Sequence, residues 1–485
     1  MDNDTRRSAG GQRLVVVANR LPMQRVGDRW QTSPGGLVRA LLGVLGSRPG
    51  AWVGWTGEID GQSDDAVLSE ATDLSTAHEL DGVDLHSVPL SEEEFNHFYE
   101  RVANGALWPL FHDAIRESTF DADSWSVYRE VNRRFAEATS AAAAEGATVW
   151  VHDYHLLLMP AMLRELRPDL LIGFFLHIPF PPQELFMRMP WRDEILHGML
   201  GSDLVGFQRQ VGAENFISLA KRLLDVEVTE DTVRAADGRE VHVGTFPIGI
   251  DAAEIDELAR RPSMPARVAE IRDRLGNPEV VFLGVDRLDY TKGIDLRLLG
   301  FGSLLKERHN VSPTGPPAMV LVQVAVPGRE GVESYAEERH TVDQLVGDVN
   351  GEYSTIGYPV VHYLRRGLPL EDLVPLYMAA DVMLVTPRRD GMNLVAKEFV
   401  ASRLDDTGVL ILSEFAGASE ALVDAILVNP HDSNAVLEAM RTALAMPPDE
   451  ASRRMRLMRQ SVFEHNVHEW AREFLRLLNG LASHA

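Results

Sequence analysis

Two cations five residues apart, Arg287 and Lys292, stand in the segment Asp286-Arg287-Leu288-Asp289-Tyr290-Thr291-Lys292-Gly293, directly after the apolar run 280–285. On a loop at a strand end such a pair can clamp a diphosphate, the arginine through its planar fork and the lysine as a point charge. A salt-bridged surface loop is the other reading. A second segment of chemical interest is Thr386-Pro387-Arg388-Arg389-Asp390-Gly391-Met392-Asn393-Leu394-Val395-Ala396-Lys397-Glu398. It follows the apolar run 381–386 and opens an amphipathic stretch (Leu394, Val395, Phe399, Val400) with helical spacing. A glycine at the start of that helix leaves backbone N–H groups and a positive dipole end for a phosphate. Glu398 lies about two turns into the helix, where a carboxylate can accept both hydroxyls of a ribose.

The first half holds groups of another kind. The run 13–18 leads to Ala18-Asn19-Arg20-Leu21-Pro22, and Ser33-Pro34-Gly35-Gly36-Leu37-Val38 follows at the start of a helical pattern. Arg20 could pair with phosphate, and Gly35 and Gly36 either let the backbone approach an oxygen-rich group or make an ordinary turn. Trp52-Val53-Gly54-Trp55-Thr56-Gly57-Glu58, Tyr99 and Asn104-Gly105-Ala106-Leu107-Trp108-Pro109 supply aromatic faces. Such faces stack on sugar rings or fill a core. Asp153, in His152-Asp153-Tyr154-His155, and His177, in His177-Ile178-Pro179-Phe180-Pro181, each sit at a strand end, placed for sugar hydroxyls or a developing charge. His152, Asp153 and His155 also invite a metal, but successive residues at a strand end point in different directions. No metal site is expected.

The elements that position these residues alternate from end to end. Short, continuous apolar runs at 13–18, 52–55, 148–152, 171–177, 203–207 and 242–246 are followed by others at 280–285, 319–326, 360–364, 381–386, 409–413 and 425–429. Continuous rather than alternating runs belong to strands buried on both faces of a parallel sheet, so the fold class is α/β. The pattern pauses near Pro247-Ile248-Gly249-Ile250-Asp251, and the domain boundary is placed there. Two doubly wound halves, 1–249 and 250–465, are expected to face a cleft, with the segment 466–485 a helix crossing back. No complete G-x-G-x-x-G follows the first strand, which disfavours a dinucleotide dehydrogenase.

Composition narrows the partners. The 485 residues are too many for one core, and 45% hydrophobic with 25% charged residues is a globular balance. A net charge of −25 argues against nucleic acid or an anionic membrane as partner, so basic groups for a phosphate must be concentrated locally. The chain has no cysteine, which excludes disulfides and thiolate chemistry and fits a reducing cytoplasm. The polar first dozen residues lack the apolar core of a signal peptide, and no run approaches the roughly 20 residues of a membrane span.

Taken together, Ala18-Asn19-Arg20, Gly54-Trp55-Thr56-Gly57-Glu58, His152-Asp153-Tyr154-His155, His177-Ile178-Pro179-Phe180-Pro181, Arg287 to Gly293 and Arg389-Asp390-Gly391-Met392-Asn393-Leu394 resemble the trehalose-6-phosphate synthases. These are retaining glycosyltransferases of family 20 with the two-Rossmann-domain GT-B fold. The resemblance covers 13 to about 470. It implies that Arg20, Trp55, Tyr99, Trp108, Asp153 and Arg329 hold the acceptor, glucose 6-phosphate, with Arg20 and Arg329 on its phosphate and Gly36 at the phosphate-facing turn. Gly36 is shared with the donor site. Arg287 and Lys292 would hold the donor's diphosphate with amides of Gly391, Met392, Asn393, Leu394 and Val395; His177 and Asp390 would take hydroxyls of the transferred glucose, and Glu398 the ribose. Asp153, His177, Arg287, Lys292 and Asp390 would then form the catalytic set. The resemblance supplies no carboxylate nucleophile, so retention would follow a front-face path in which the leaving diphosphate takes the acceptor's proton. Neither cofactor nor metal would be required, and the nucleotide base has no readable motif. The partners would be nucleotide-glucose (UDP- or ADP-glucose) and glucose 6-phosphate, in a cytoplasmic homo-oligomer. Two rivals remain: a related two-domain transferase of the sucrose-phosphate or glycogen synthase type, and a catalytically silent sugar-phosphate sensor on the same fold.

Overall fold

The computed structural model describes residues 12–26, 29–32, 38, 41–42, 45, 50–59, 83–114, 118–308, 315–328 and 332–481. The chain divides into two compact units: Met1–Pro247 with His468–Ala485, and Ile248–Val467. Gly36 and Arg329 fall outside the described residues.

In the first unit, β1 (Gln12–Arg20), β4 (Gly50–Trp55), β5 (Val83–Ser87), β6 (Ala143–His152), β7 (Leu171–Leu176), β8 (Leu204–Phe207), β9 (Glu227–Thr229), β10 (Thr232–Arg234) and β11 (Glu240–Thr245) form one sheet. Its order is β5-β4-β1-β6-β7-β8-β11-β10-β9. All pairings are parallel except the antiparallel ones of β10 with β9 and β11. β2 (Met23–Val26) and β3 (Arg29–Thr32) make a separate antiparallel hairpin. The sequence pattern did not pick out β2, β3, β5, β9 or β10. β5 and β9 are the two edge strands and β10 lies next to β9; all three are short and carry half-exposed polar residues, so no continuous apolar run marks them. α1 (Phe95–Leu107) is wound as a π-helix, a rare form that often marks a functional site. α2 (Ala122–Ala142), capped by the Asp121 carboxylate on the Ser124 N–H, packs beside it.

The C-terminal helix Val467–Leu481 covers β6 and β7. Phe474 stacks on Trp150 at 4.7 Å between ring centres. Two glycines, Gly173 on β7 and Gly206 on β8, make room for it, because a Cβ on either would press into the Phe474 ring. The apolar faces of strand and helix thus select small residues beneath a large one.

The second unit has a six-stranded, wholly parallel sheet: β12 (Val280–Arg287), β13 (Met319–Val326), β14 (Val361–Leu364), β15 (Val382–Val385), β16 (Val409–Ser413) and β17 (Ile426–Val428). The order β14-β13-β12-β15-β16-β17 is the 3-2-1-4-5-6 order of the doubly wound nucleotide-binding fold. The first unit repeats that order over β5-β4-β1-β6-β7-β8. The α/β, doubly wound expectation therefore holds in each unit. α3 (Leu370–Ala379) and α4 (Leu394–Ser402) are among its covering helices.

A charge sits inside the second unit. Arg297, on the helix Ile294–Arg308 and fully buried, donates from Nη1 to Asp286 Oδ2 on β12 at 2.6 Å and to Gln323 Oε1 on β13 at 2.9 Å. Its Nε donates to Thr386 Oγ1, one residue past β15, at 3.3 Å. Gly284 on β12 is the matching space, since a Cβ there would collide with both the guanidinium and the Gln323 amide. Removing one partner of a buried pair strands the other without solvent, which costs far more than the intact pair contributes. Arg297→Met therefore lowers stability by about 3–5 kcal/mol. The combined change with Asp286→Leu recovers most of that loss, and thermal unfolding of both variants checks it.

Candidate functional site

In the doubly wound fold ligands bind at the carboxyl ends of the strands where the strand order reverses. In the first unit that point lies between β1 and β6, in the second between β12 and β15.

Arg20 ends β1 and is paired in register with Trp55, which ends the neighbouring β4. Its guanidinium lies 4.6 Å above the Trp55 ring, a cation–π contact that holds the fork flat. On its other side is Gly57, whose φ of 96° and missing side chain admit the guanidinium; a Cβ there would collide with it. Trp55 is itself fixed by Nε1 donating to Glu58 O at 2.7 Å. Tyr99, on α1, lies 6.2 Å from Trp55, stacks on Phe95 at 5.2 Å and on His155 at 5.7 Å. The π-helical winding places it, with Asn104 Nδ2 donating back to Tyr99 O at 2.8 Å. Trp108 is buried between His112 and Tyr154, at 4.0 and 5.6 Å, the latter being the residue that follows Asp153.

Asp153 follows β6 with φ 75° and ψ 169°, a conformation almost confined to glycine. The strain is held by two hydrogen bonds to β7 and its end: Asp153 N–H to Phe175 O at 2.8 Å, and His177 N–H to Asp153 Oδ1 at 3.2 Å. A strained carboxylate one residue past a strand at the switch point is a functional signature. His177, just beyond β7, has its Nε2 at 3.1 Å from His152 Nδ1 and its Nδ1 at 3.5 Å from the Gln208 amide nitrogen. Burial pushes the His177 imidazole down to about 3 and, together with the neighbouring His177, holds His152 well below its ordinary 6.5. Both rings are neutral at physiological pH. The three residues considered for a metal diverge: His152 faces His177, Asp153 holds the His177 backbone, and His155 stacks on Tyr99.

In the second unit the loop after β12 is shaped by Asp289, whose Oδ1 accepts from Thr291 N–H and Oγ1 at 2.9 Å each. Gly293 then turns through φ 63° against Thr386 O, where a Cβ would collide. This brings Lys292 Nζ to 2.6 Å from Asp390 Oδ2, which also accepts from Asn393 Nδ2 at 3.1 Å. Arg287 is different: its side chain is 48% exposed and Asp289 Oδ2 stands 3.9 Å away. The two cations are thus not equivalent, since Lys292 is buried in an ion pair and Arg287 faces solvent.

The helix beyond Asp390 begins later than the sequence pattern implied. Gly391 is not at its start. Asp390, Gly391 and Met392 lie along the 415–418 loop, with Asp390 N–H to Phe415 O at 3.1 Å and Ala418 N–H to Met392 O at 2.8 Å. The N-cap is Asn393, left-handed at φ 78°, whose Oδ1 accepts from Ala396 N–H at 3.3 Å, and Leu394 and Val395 form the first turn. Asparagine tolerates this conformation and caps helices, a signal the glycine obscured. Farther along α4, Lys397 Nζ donates to Ile248 O at 2.7 Å and is brought down to about 8 by burial. Glu398 Oε2 accepts from Tyr377 OH at 2.8 Å. Sequence reasoning passed over His152 as a partner of His177, and over Gln208 and Tyr377, because each acts through a contact between residues distant in the chain.

Residues 12–480 match glycosyltransferase family 20. The trehalose-6-phosphate synthase of Mycolicibacterium vanbaalenii is 52% identical over 483 residues, spanning 97% of this chain and 96% of that protein. An α,α-trehalose-phosphate synthase (UDP-forming) from Burkholderia xenovorans, solved in complex with glucose-6-phosphate, superposes with a TM-score of 0.84 at 30% identity over 96% of this chain and 100% of that one. An E. coli structure bound with UDP-2-fluoro glucose gives 0.84 at 32% identity, covering 96% and 98%. The likeness to such synthases makes the fold class GT-B. By sequence and by structure alike, the chain belongs to glycosyltransferase family 20, the family of the trehalose-6-phosphate synthases.

Proposed function

We propose that this protein transfers glucose from a nucleotide-glucose donor to glucose 6-phosphate, forming α,α-trehalose 6-phosphate with retention at the anomeric carbon. The observation that carries the reading is that each unit gathers its candidate residues at its own switch point: Arg20, Trp55 and Asp153 in one, Arg287, Lys292 and Asp390 in the other. The glucose-6-phosphate and UDP-2-fluoro glucose complexes of the two solved relatives support the substrate pair. A silent sensor gains no support, since the curated relative is a synthase and the candidate residues form ordered contacts.

Arg20, flattened on Trp55, would take the acceptor phosphate in its fork, with Arg329 as second cation and Gly36 at the turn. Tyr99 and Trp108 would form the acceptor's aromatic side and Asp153 would orient its hydroxyl. Arg287, Lys292 and the backbone from Gly391 to Val395 would stabilise the leaving diphosphate, so rate would come from positioning and fixed charge. His177 and Asp390 would bind hydroxyls of the transferred glucose. A neutral His177 suits that task and does not serve as a general acid. The leaving diphosphate would accept the acceptor proton on the front face. Among the described residues no helix is long and apolar enough to cross a membrane, and with the absence of cysteine this supports a cytoplasmic enzyme.

Four outcomes test this. With glucose 6-phosphate and a panel of UDP-, ADP- and GDP-glucose, the product is trehalose 6-phosphate, and activity persists when EDTA is added to metal-depleted protein; a strict Mg²⁺ requirement would overturn the metal-free account. Arg287→Ala lowers turnover by about 10²–10³ with the melting temperature unchanged, as its side chain is half exposed. Lys292→Ala loses activity and also melts lower, because Asp390 is left with its charge uncompensated. The fourth concerns pH. The unfolded chain protonates both histidines below about 6.5, whereas the folded state keeps His152 and His177 neutral, so it binds fewer protons. Stability is therefore unaffected by them above 6.5 and falls as pH drops below it, by about 1.4 kcal/mol per pH unit for each histidine. His152→Phe removes one such slope from pH-dependent melting.

A further inference from the structure

α3 and α4 hold each other at two points. Arg403, immediately after α4 and nearly buried, donates from Nη1 to the carbonyls of Tyr377 at 3.0 Å, Met378 at 2.7 Å and Ala380 at 2.9 Å. These lie at the C-terminal end of α3, where carbonyls lack helical partners, and a buried cation there fixes the helix end. In the opposite direction Tyr377, fully buried on α3, donates its hydroxyl to Glu398 Oε2 on α4. The backbone of Tyr377 is therefore set by α4 and its side chain acts back on α4. A phenol ring turns about only two bonds, so a tyrosine with a fixed backbone delivers its hydroxyl to one place. A glutamate has three such bonds and, unanchored, spreads over several rotamers.

We propose that Tyr377 is a positioning residue for the donor nucleotide: its hydroxyl holds the Glu398 carboxylate in the one orientation that receives the ribose hydroxyls, and so sets the preference for ribo- over deoxyribonucleotides. The proposal rests on the assignment of Glu398 to the ribose. Glu398 is half-buried, with Tyr377 completely enclosed beside it, so its Oε2 is anchored from the interior. Burial, reinforced by the Glu398 charge, holds the Tyr377 hydroxyl well above its ordinary 10, and it stays a donor at every working pH. The carboxylate accordingly remains the acceptor in that bond. Ordering is done before the nucleotide arrives, and the nucleotide does not bear its entropic cost.

The test is calorimetric binding of UDP and of 2′-deoxy-UDP to the full chain, in wild type, Tyr377→Phe, Glu398→Gln and the double variant. Wild type prefers UDP. Tyr377→Phe lowers that preference by about 3- to 10-fold, the reach of one hydrogen bond, through weaker UDP binding while 2′-deoxy-UDP binding is unchanged. In the Glu398→Gln background the same change has no further effect on the preference. If Tyr377→Phe weakens both ligands equally, or neither, its role is structural and the proposal is overturned. If Glu398→Gln itself leaves the preference intact, Glu398 does not hold the ribose and both readings fall. If Glu398→Gln abolishes the preference and Tyr377→Phe preserves it, only the role of Tyr377 falls. Should the phenylalanine variant not fold, 3-fluorotyrosine at position 377 carries the test: its more acidic hydroxyl raises the preference, and an unchanged preference overturns the proposal.

Discussion

The buried guanidinium of Arg297 is the contact on which the second unit turns. It ties β12, β13 and the exit of β15 together through Asp286, Gln323 and Thr386. At those same carboxyl ends β12 carries Arg287 and the Asp289-capped turn with Lys292, and β15 leads into the Asp390 loop. Two loops from adjacent strands are as well registered as the strands beneath them, and here they are also tied directly, Arg388 N–H donating to Thr291 O at 2.7 Å. Lys292 meets Asp390 at 2.6 Å because Gly293 is pressed against the Thr386 carbonyl. An ion buried at that cost is warranted where position matters more than stability.

The first unit reaches the same end by packing. Its β6 and β7 are covered by Phe474 and Trp470 of the C-terminal helix, with glycines in the strands below. This cover encloses His152, and burial holds both it and the half-buried His177 neutral. At the strand ends, backbone strain at Asp153 and the π-helical turn at Tyr99 depart from regular geometry. Departures of this sort persist where rigid surroundings over-determine them.

Much of this was legible in the chain. The strands of both sheet centres stood out as continuous apolar runs, and the residues brought to the two switch points had been marked by their place after those runs. What the sequence hid was pairing. Arg287 and Lys292 read as two like members of a clamp, yet Lys292 is bound to a carboxylate 98 residues on. Glu398 read as a lone carboxylate, and its tyrosine comes from another helix. The edge strand β9 and its neighbour β10 were silent because they are short and most of their residues are exposed or half-exposed. The start of α4 was misplaced because glycine and asparagine both permit a left-handed turn, and only the fold decides between Gly391 and Asn393.

The pairing of Lys292 with Asp390 also bears on how an anionic substrate reaches the second unit. With those two charges cancelling, Arg287 is left as the half-exposed cation of the clamp, 3.9 Å from Asp289 Oδ2, on a chain whose net charge is −25. Beyond a Debye length of about 8 Å the protein's field opposes a nucleotide diphosphate. Encounter is then unsteered, added salt speeds approach by screening the repulsion, and affinity is gained only at contact. This is the reverse of the electrostatic funnel common among phosphate-binding proteins.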